Sequence, residues 1–292
     1  MTPRSRTAAL GALVGAVLIS VAALAPTSLA DTPQHAPRHT ADRATPGARG
    51  DHPPAGPPYD FTTELMGASG YVIPLKNKAM LTRTPLGYLY RAGQQDSHLT
   101  ITLDDAGLHF ADTGTQELVK LAGACTQKSA PKGIAALCPM PPTATEVLPL
   151  LVEVWPRLGD DYTDGSSLPA TIALTMLGDE GDDVALLGAG PDFFNGHKGR
   201  DRVVGGAGND WIRSGLGPDS VYGGAGDDQI IGMENADVLR GGAGDDRLGG
   251  MEDDDTLVGG AGADVLLCGD GADSAVADAL DKVWDCETLG LG

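Results

Sequence analysis

The nine residues Gly223–Ile231, GGAGDDQII, are one copy of a nonapeptide pattern that repeats in register from Gly178 to Val276. We count eleven copies, in which the sixth residue is always Asp, the eighth is always apolar, and the fourth is Gly except at Asn235 and Asp253. The fixed residues at position six are Asp183, Asp192, Asp201, Asp210, Asp219, Asp228, Asp237, Asp246, Asp255, Asp264 and Asp273. A fixed period carried this far is typical of a stacked repeat architecture.

Each position of the pattern has a physical reading. Glycines at positions one, two and four permit positive φ and therefore a tight turn that exposes its carbonyl groups. The Asp places a carboxylate beside those carbonyls, and a ligand set made only of oxygen is what Ca²⁺ prefers. Positions seven to nine predict a three-residue strand whose middle side chain points inwards. A flexible linker rich in Gly and Asp would explain neither the fixed Asp nor the fixed apolar position.

The pattern, with Gly223–Ile231 as a clear copy, resembles the G-G-x-G-x-D-x-U-x repeat of RTX, or haemolysin-type, calcium-binding proteins. The resemblance covers about a third of the chain. It implies an all-β fold, a right-handed parallel β-roll (a β-solenoid) with two nonapeptides per coil, and several Ca²⁺ ions held between turns of adjacent coils. The predicted metal ligands are the eleven Asp residues and the turn residues Gly206, Gly208, Gly224, Gly226, Gly242, Gly244, Gly260 and Gly262.

A second period of 18 residues lies inside the first. The run Gly-Gly-Ala-Gly begins at Gly205, Gly223, Gly241 and Gly259, whereas the turns between them are irregular, for example Gly-Met-Glu-Asn from Gly232. If one coil has 18 residues, the two kinds of turn stack along opposite edges of the roll. The near-consensus edge then carries Asp192, Asp210, Asp228, Asp246 and Asp264, and the irregular edge carries Asp183, Asp201, Asp219, Asp237, Asp255 and Asp273. Because Met at position two should misplace the turn carbonyls, we predict weaker calcium binding along the irregular edge.

The charge of the chain indicates which partners suit it. Its formal net charge is −20, and the nonapeptides alone hold 21 Asp and Glu against 6 Lys and Arg. Such a surface repels nucleic acid and anionic membranes, and it repels itself until cations neutralise it. One inward apolar residue in nine makes a thin core, so metal binding has to complete the stability of the roll. A protein or glycan partner is not identified by these features.

The first part of the chain predicts export. Residues 1–30 read as a signal peptide, with Arg4 and Arg6 before an apolar run and small residues before Asp31; an uncleaved membrane anchor is the alternative. Residues 31–58 are rich in Pro, Ala and Gly without apolar periodicity and predict a disordered linker. We therefore predict a secreted, extracellular protein with no membrane insertion after processing.

Residues 59–177 predict a β-rich N-terminal region that is continuous with the roll, and residues 277–292 predict a C-terminal cap. Alternating runs indicate strands at 97–103, 108–110, 146–154 and 171–177, the last leading directly into the first nonapeptide. The acidic stretch 160–165 resembles the start of an EF-hand loop, but it lacks the closing Glu, and we predict a solvated acidic turn there.

Four cysteines form two locally spaced pairs. In an exported chain this predicts disulfides Cys125–Cys138 and Cys268–Cys286, the second fastening the cap at the end of the roll. Zinc binding is the alternative, but no C-x-x-C spacing or nearby His supports it.

No motif for catalysis is found in the sequence. There is no H-E-x-x-H and no G-x-S-x-G, and His98 and His109 predict a packed or surface pair. We predict a non-enzymatic, calcium-binding secreted protein. The alternatives are an extracellular enzyme with an unrecognised N-terminal active site and a stabilising roll, and a calcium-dependent adhesin or glycan-binding module.

Overall fold

The computed structural model describes residues 75–292, so the predicted signal peptide, the predicted linker and residues 59–74 lie outside the described residues. Every regular element in the described part of the chain is a β-strand. Within this part no helix is long and apolar enough to cross a membrane. The fold is all-β, as predicted.

The N-terminal region contains short strands joined by tight turns. They are β1 Lys78–Arg83, β2 Gly87–Arg91, β3 His98–Asp104, β4 Gly107–Asp112, β5 Glu117–Leu121, β6 Thr126–Lys128, β7 Ile134–Cys138, β8 Leu150–Trp155, β9 Tyr162–Asp164 and β10 Ile172–Glu180. The strands predicted at 97–103 and 108–110 are confirmed as β3 and β4, which pair antiparallel. The strand predicted to start at residue 146 begins only at Leu150, since Val147 and Leu148 are exposed ahead of Pro149.

The repeats form a regular series of strands. They are β11 Val184–Leu186, β12 Phe193–Lys198, β13 Arg202–Ala207, β14 Trp211–Leu216, β15 Ser220–Ala225, β16 Gln229–Glu234, β17 Val238–Ala243, β18 Arg247–Glu252, β19 Thr256–Ala261, β20 Val265–Asp270 and β21 Ser274–Ala277. Two further strands follow, β22 Lys282–Trp284 and β23 Thr288–Leu291. Each strand from β11 to β21 begins at the residue after one of the repeated Asp residues.

Two sheets run the length of the described structure. One has the order β22-β20-β18-β16-β14-β12-β10-β8-β2-β1-β5 and the other β23-β21-β19-β17-β15-β13-β11-β9-β3-β4-β7-β6. Alternate strands enter opposite sheets, and strands within the repeats pair parallel, for example Ile212 with Ile230 in β14 and β16. The result is a parallel β-solenoid of about eight coils. The predicted β-roll with a β-rich N-terminal cap is confirmed.

Most strands of the roll are longer than predicted. From β12 to β20 each has six residues, because the first three residues of the following repeat continue the strand. The pairing omits position one: Tyr222 pairs with Arg240 and Gly224 with Gly242, while Gly223 between them is skipped. The pairing is therefore interrupted at position one, the residue that lies beside the carboxylate of the repeated Asp.

The core of the roll is a column of the position-eight side chains. Val203, Ile212, Val221, Ile230 and Leu239 are each buried and continue as one cluster into the N-terminal region. There the core widens, and Tyr88 and Tyr90 pack around Phe110 with ring centroids 6.2 and 6.4 Å apart. Because each coil contributes only two such side chains, the roll buries little apolar surface per residue.

The C-terminal segment continues the roll. Strand β22 pairs with β20, and β23 pairs with β21, so residues 282–291 add a last coil to both sheets. The disulfide Cys268–Cys286 ties this coil to the one before it, and Cys125–Cys138 links the turn before β6 to the end of β7. Both predicted pairings are confirmed, and among residues 75–292 no cysteine is free.

Candidate calcium sites along two edges of the roll

The turns at both edges share one backbone shape. Positions two and four adopt positive φ along most of the roll, for example Gly224 at 122° and Gly226 at 125°. Glycine suits these positions because a side chain is strained at such a φ, and a Cβ on Gly224 or Gly226 would collide with a carbonyl oxygen of the preceding coil. The same shape occurs where the sequence departs from Gly, at Asn235 (75°) and Asp253 (74°).

Met233 and Met251 also adopt positive φ, 106° and 96°, at position two of the irregular edge. The irregular turns therefore keep the shape of the near-consensus turns, and the expectation that Met misplaces the turn carbonyls is wrong. Replacing Gly by Met at these two positions strains the backbone, because a non-glycine residue rarely adopts such a positive φ.

One oxygen of each repeated Asp holds adjacent coils together. Except at Asp192, its Oδ1 accepts a hydrogen bond at 2.7 to 2.9 Å from the backbone N–H of the matching Asp one coil earlier. That Asp lies 18 residues earlier in the chain, except that Asp161 donates to Asp183 over 22 residues. Along the near-consensus edge the acceptors are Asp210, Asp228, Asp246 and Asp264, and along the irregular edge they are Asp183, Asp201, Asp219, Asp237, Asp255 and Asp273. Two ladders of carboxylates follow, one per edge, as the 18-residue period predicts.

The other oxygen, Oδ2, is buried and has no hydrogen-bond donor at any of these ten residues. The side chains are almost completely enclosed, with exposures between 0 and 3%. A buried carboxylate oxygen without a donor or a cation is strongly unfavourable. These oxygens are the feature that most directly indicates a bound cation.

A carbonyl oxygen of the next coil lies beside Oδ2 of Asp210, Asp228 and Asp246 on the near-consensus edge. A Cβ added to Gly205 would collide with Oδ2 of Asp210 and with the carbonyl oxygen of Gly223. The same pair of oxygens surrounds position one in both kinds of turn, as at Gly232, where the oxygens belong to Asp237 and Gly250. The glycine thus keeps a small space lined by oxygens open, and this donor set suits Ca²⁺.

Within the part of the chain that the structure describes, no three His, Cys, Asp or Glu side chains converge on one point. Backbone carbonyls must therefore supply many of the ligands of any ion held here. Turns with positive φ at positions two and four expose such carbonyls, so the Asp residues and the turn glycines act together rather than as a carboxylate cluster.

The pKa values follow from this burial. Burial, together with the charges of Asp219 and Asp255, raises the pKa of Asp237 to about 8. Burial likewise raises the pKa of Asp183 to about 8 and that of Asp228 to about 6. In the absence of metal, burial shifts these carboxyls towards the protonated form, because the charged form is costly without a cation.

Asp192 differs from the other predicted ligands. Its Oδ1 accepts from the N–H of Leu174 at 2.7 Å and its Oδ2 from the N–H of Gly188 at 2.6 Å. Leu187 occupies position one of this turn, so the space that Gly keeps open elsewhere is filled. Both carboxylate oxygens of Asp192 thus accept a backbone hydrogen bond, unlike those of the ten ladder residues, and its role as a metal ligand stays a prediction.

A row of side chains that the sequence analysis did not single out accompanies the ladders. At position five, Asp182, Asn209, Asp227, Asp245 and Asp254 each accept a hydrogen bond from an N–H 18 residues later, at 2.8 to 3.0 Å. The excess of Asp and Asn at this position was the available signal. These exposed bonds run in the opposite direction to the Oδ1 ladder and clamp each turn to both neighbours.

The ladders continue past the repeats at the C-terminal end. Asp281 accepts from the N–H of Asp264 with a spacing of 17 residues, and Glu287 accepts from the N–H of Asp273 with a spacing of 14. Glu287 follows a shortened turn, and its longer side chain reaches the place of an Asp. Neither residue was predicted, because both lie outside the nine-residue register.

The predicted solvated acidic turn at 160–165 is wrong at its centre. Asp161 is only 1% exposed, and its Oδ1 accepts a hydrogen bond from the N–H of Ser97. Asp160 is exposed, as predicted. The acidic residues of this stretch thus have different surroundings, which sequence composition does not distinguish.

The predicted pair of histidines is not formed. Strands β3 and β4 are neighbours, but His109 pairs with Thr102 and contacts Asp104 through Nε2 at 2.9 Å. His98 instead stacks on Tyr162, with centroids 6.1 Å apart. Both contacts lie at the surface.

Comparison with known proteins agrees with this geometry. The family model of the RTX calcium-binding nonapeptide repeat matches four copies, at residues 177–212, 204–239, 213–248 and 249–279. No curated protein and no solved structure matches the chain. The count of eleven nonapeptides stays a prediction, because the match identifies the repeat and not this number. Over residues 177–279 this chain is therefore similar to the RTX calcium-binding nonapeptide repeat.

Proposed function

We propose that this protein is a secreted, non-enzymatic calcium-binding protein whose β-roll requires Ca²⁺ to complete its folding. The observation that carries the proposal is the double row of buried Asp Oδ2 atoms without donors. A cation at each of these oxygens would remove an unfavourable buried charge, and its binding free energy would add directly to the stability of the fold.

The thin core of the roll explains why metal is required rather than merely tolerated. Each coil buries two position-eight side chains, and this burial has to offset the conformational entropy of about 18 ordered residues. Repulsion among the Asp and Glu side chains opposes folding further. Ca²⁺ would reduce the charge repulsion by neutralising carboxylates, and it would compensate for the thin core by holding adjacent turns together.

Two features support export. Both disulfides join residues close in the chain, and such bonds persist in oxidising compartments outside the cytosol. The N-terminal residues have the order of a signal peptide, with basic residues, an apolar run and small residues. Extracellular calcium near the millimolar range is sufficient to fill modest sites.

A structural role for the N-terminal region fits its buried polar residues. Asp112 accepts hydrogen bonds from Tyr90 Oη, Ser97 Oγ and Thr115 Oγ1 and from several backbone N–H groups. These bonds lower the pKa of Asp112 despite the opposing effect of burial. A carboxylate held by so many donors is a poor base, so we assign it to the support of the loop between β4 and β5.

Circular dichroism of the oxidised, processed protein tests the proposal. Adding Ca²⁺ to metal-free protein should increase the β signal and raise the melting temperature, and Mg²⁺ should do so poorly because it demands a tighter octahedral shell. Asp228→Asn should weaken the response, whereas Asp105→Asn, which removes an exposed charge in the β3–β4 turn, should not. A fully folded spectrum that is the same in excess chelator would overturn the proposal.

A further inference from the structure

Residues 156–164, PRLGDDYTD, form a turn and strand that copy the geometry of the nonapeptides, although they precede the residues that match the family model. Arg157 (φ 80°) and Gly159 (φ 126°) have positive φ, as positions two and four do in the roll. Asp161 then corresponds to position six, and β9, which begins at Tyr162, corresponds to the strand.

The hydrogen bonds of this segment match those of the repeats one by one. The N–H of Gly159 donates to the carbonyl of Glu180 at 3.0 Å. In the same way, the N–H of Gly181 in the first repeat donates to the carbonyl of Lys198 at 2.9 Å. The carbonyl of Asp161 accepts from the N–H of Val184 at 2.8 Å, which is the bond that Asp183 makes to Arg202.

The side chain of Asp161 also occupies the ladder position. Its N–H donates to Oδ1 of Asp183 at 2.9 Å, and its own Oδ1 accepts from the N–H of Ser97. Oδ2 of Asp161 is buried and has no hydrogen-bond donor, and the residue is only 1% exposed. This is the arrangement of Asp201 and Asp219 on the same edge.

Two features depart from the pattern. Pro156 stands at position one, where most repeats have Gly, and the buried Thr163 stands at position eight, which is apolar in every repeat. Cys268 also places a side chain at position one, and Oδ2 of Asp273 nevertheless lacks a donor. A side chain at position one therefore does not by itself satisfy the carboxylate. The turn with Leu187 at position one is different, because Oδ2 of Asp192 accepts a hydrogen bond from the N–H of Gly188 there.

We propose that Asp161 is a ligand of an additional Ca²⁺ site, formed between the turn at 156–161 and the turn at 178–183, outside the repeats recognised from sequence. The carbonyls of the two turns complete the ligand set, as in the roll. The site would join the N-terminal region to the first repeat through a shared ion. This inference rests on the proposed function, because it assumes that the Asp ladders hold calcium.

The test is the number of Ca²⁺ ions bound per chain by the oxidised full-length protein at saturating Ca²⁺, measured by equilibrium dialysis and metal analysis. Asp161→Asn should bind one ion fewer than wild type, because the amide keeps an oxygen for the N–H of Ser97 but loses the charge. Asp228→Asn should also bind fewer ions, and Asp105→Asn should bind as many as wild type.

The outcomes separate this inference from the proposed function. If Asp228→Asn loses calcium and Asp161→Asn does not, the additional site is wrong and the calcium-binding roll stands. If wild type binds no calcium, both are wrong. Should Asp161→Asn fail to fold, wild-type crystals grown with Ca²⁺ decide: an anomalous difference peak beside Asp161 Oδ2 is expected, and peaks along the roll without one there would overturn the site.

Discussion

Two methionines at position two of the irregular edge carry the clearest local strain in the roll. Met233 and Met251 hold φ values of 106° and 96°, which Gly adopts at the same position in neighbouring turns. Strain of this kind costs on the order of 1–3 kcal/mol per residue. It persists because the sheet pairing on both sides holds the turn, as in the pairing of Met233 with Met251.

Replacing one of these residues should therefore stabilise the protein. We expect Met233→Gly to raise the free energy of unfolding by about 1 kcal/mol, because relief of strain exceeds the extra backbone entropy that Gly loses on folding. Chemical denaturation at fixed Ca²⁺ measures the change. The matched reverse variant, Gly224→Ala on the other edge, should destabilise, since a Cβ there would collide with the carbonyl oxygen of Gly206.

The carboxylates of the two edges should also differ in their contribution. Asp228→Asn should lower calcium affinity and melting temperature more than Asp237→Asn. Both residues accept an N–H at 2.8 Å and both leave Oδ2 without a donor, so the difference has to come from the turns. The turn of Asp228 is Gly-Gly-Ala-Gly, whereas the turn of Asp237 is strained at Met233, so we expect tighter calcium binding at Asp228.

Calorimetric titration of the two variants and wild type, with melts at fixed Ca²⁺, measures this difference. Both residues lie in the middle of the roll, so fraying of an end affects them equally. An equal or larger loss in Asp237→Asn would show that the irregular turns, with Glu234 and Glu252, hold calcium as well as the near-consensus turns do.

At the scale of elements, the last coil is the weakest part of the roll. Strands β22 and β23 have three and four residues, and their residues Trp284, Leu289 and Leu291 are exposed. The disulfide compensates for this small buried surface, because it fixes Cys286 against the buried Cys268. An unpaired sheet end would otherwise be available to other chains.

Removal of this disulfide should have a local and a global effect. The double variant Cys268→Ser with Cys286→Ser should lose about 3 kcal/mol of stability, as expected for a short closed loop. Amide hydrogen exchange should accelerate in β22 and β23 first, because local opening begins where few contacts are buried. Unchanged exchange there would contradict a role for the bond in holding the last coil.

At the scale of the whole molecule, the two ladders link stability to pH when metal is absent. Burial raises the folded-state pKa of Asp237 to about 8, of Asp246 to about 7 and of Asp228 to about 6, above the value of about 3.9 for an unfolded Asp. The folded chain then binds more protons than the unfolded chain. The stability from these groups is complete below about pH 4 and is lost as the pH rises through 6 to 8.

We therefore expect acid to replace calcium in part. In excess chelator the melting temperature should rise when the pH is lowered from 8 to 4.5, and a two-unit shift at one carboxyl already corresponds to about 3 kcal/mol. With saturating Ca²⁺ the dependence should be weak or reversed, since protons then compete with the metal. Melts at both pH values, with and without Ca²⁺, provide the comparison; a metal-free protein that is more stable at pH 8 would contradict the account.

Much of this architecture was predictable because it is periodic. The Asp at position six forms the ladders, and the apolar residue at position eight forms the core column. The 18-residue recurrence places alternate turns on opposite edges, as the pairing of Ile212 with Ile230 confirms. A repeat contacts only its neighbours, so the environment of one copy predicts that of the next. The two disulfides were predictable for a similar reason, since their cysteines are close in the chain.

The tertiary structure alone decided the places where the period fails. The step from Asp161 to Asp183 is 22 residues, and the steps to Asp281 and Glu287 are 17 and 14, yet all three residues join the ladders. Pairing between parallel strands depends on which backbone groups meet in space, and a loop such as 165–171 can absorb extra residues without changing that register. For the same reason, pairing with the adjacent coils sets the positive φ angles of Met233 and Met251, although methionine itself favours negative φ.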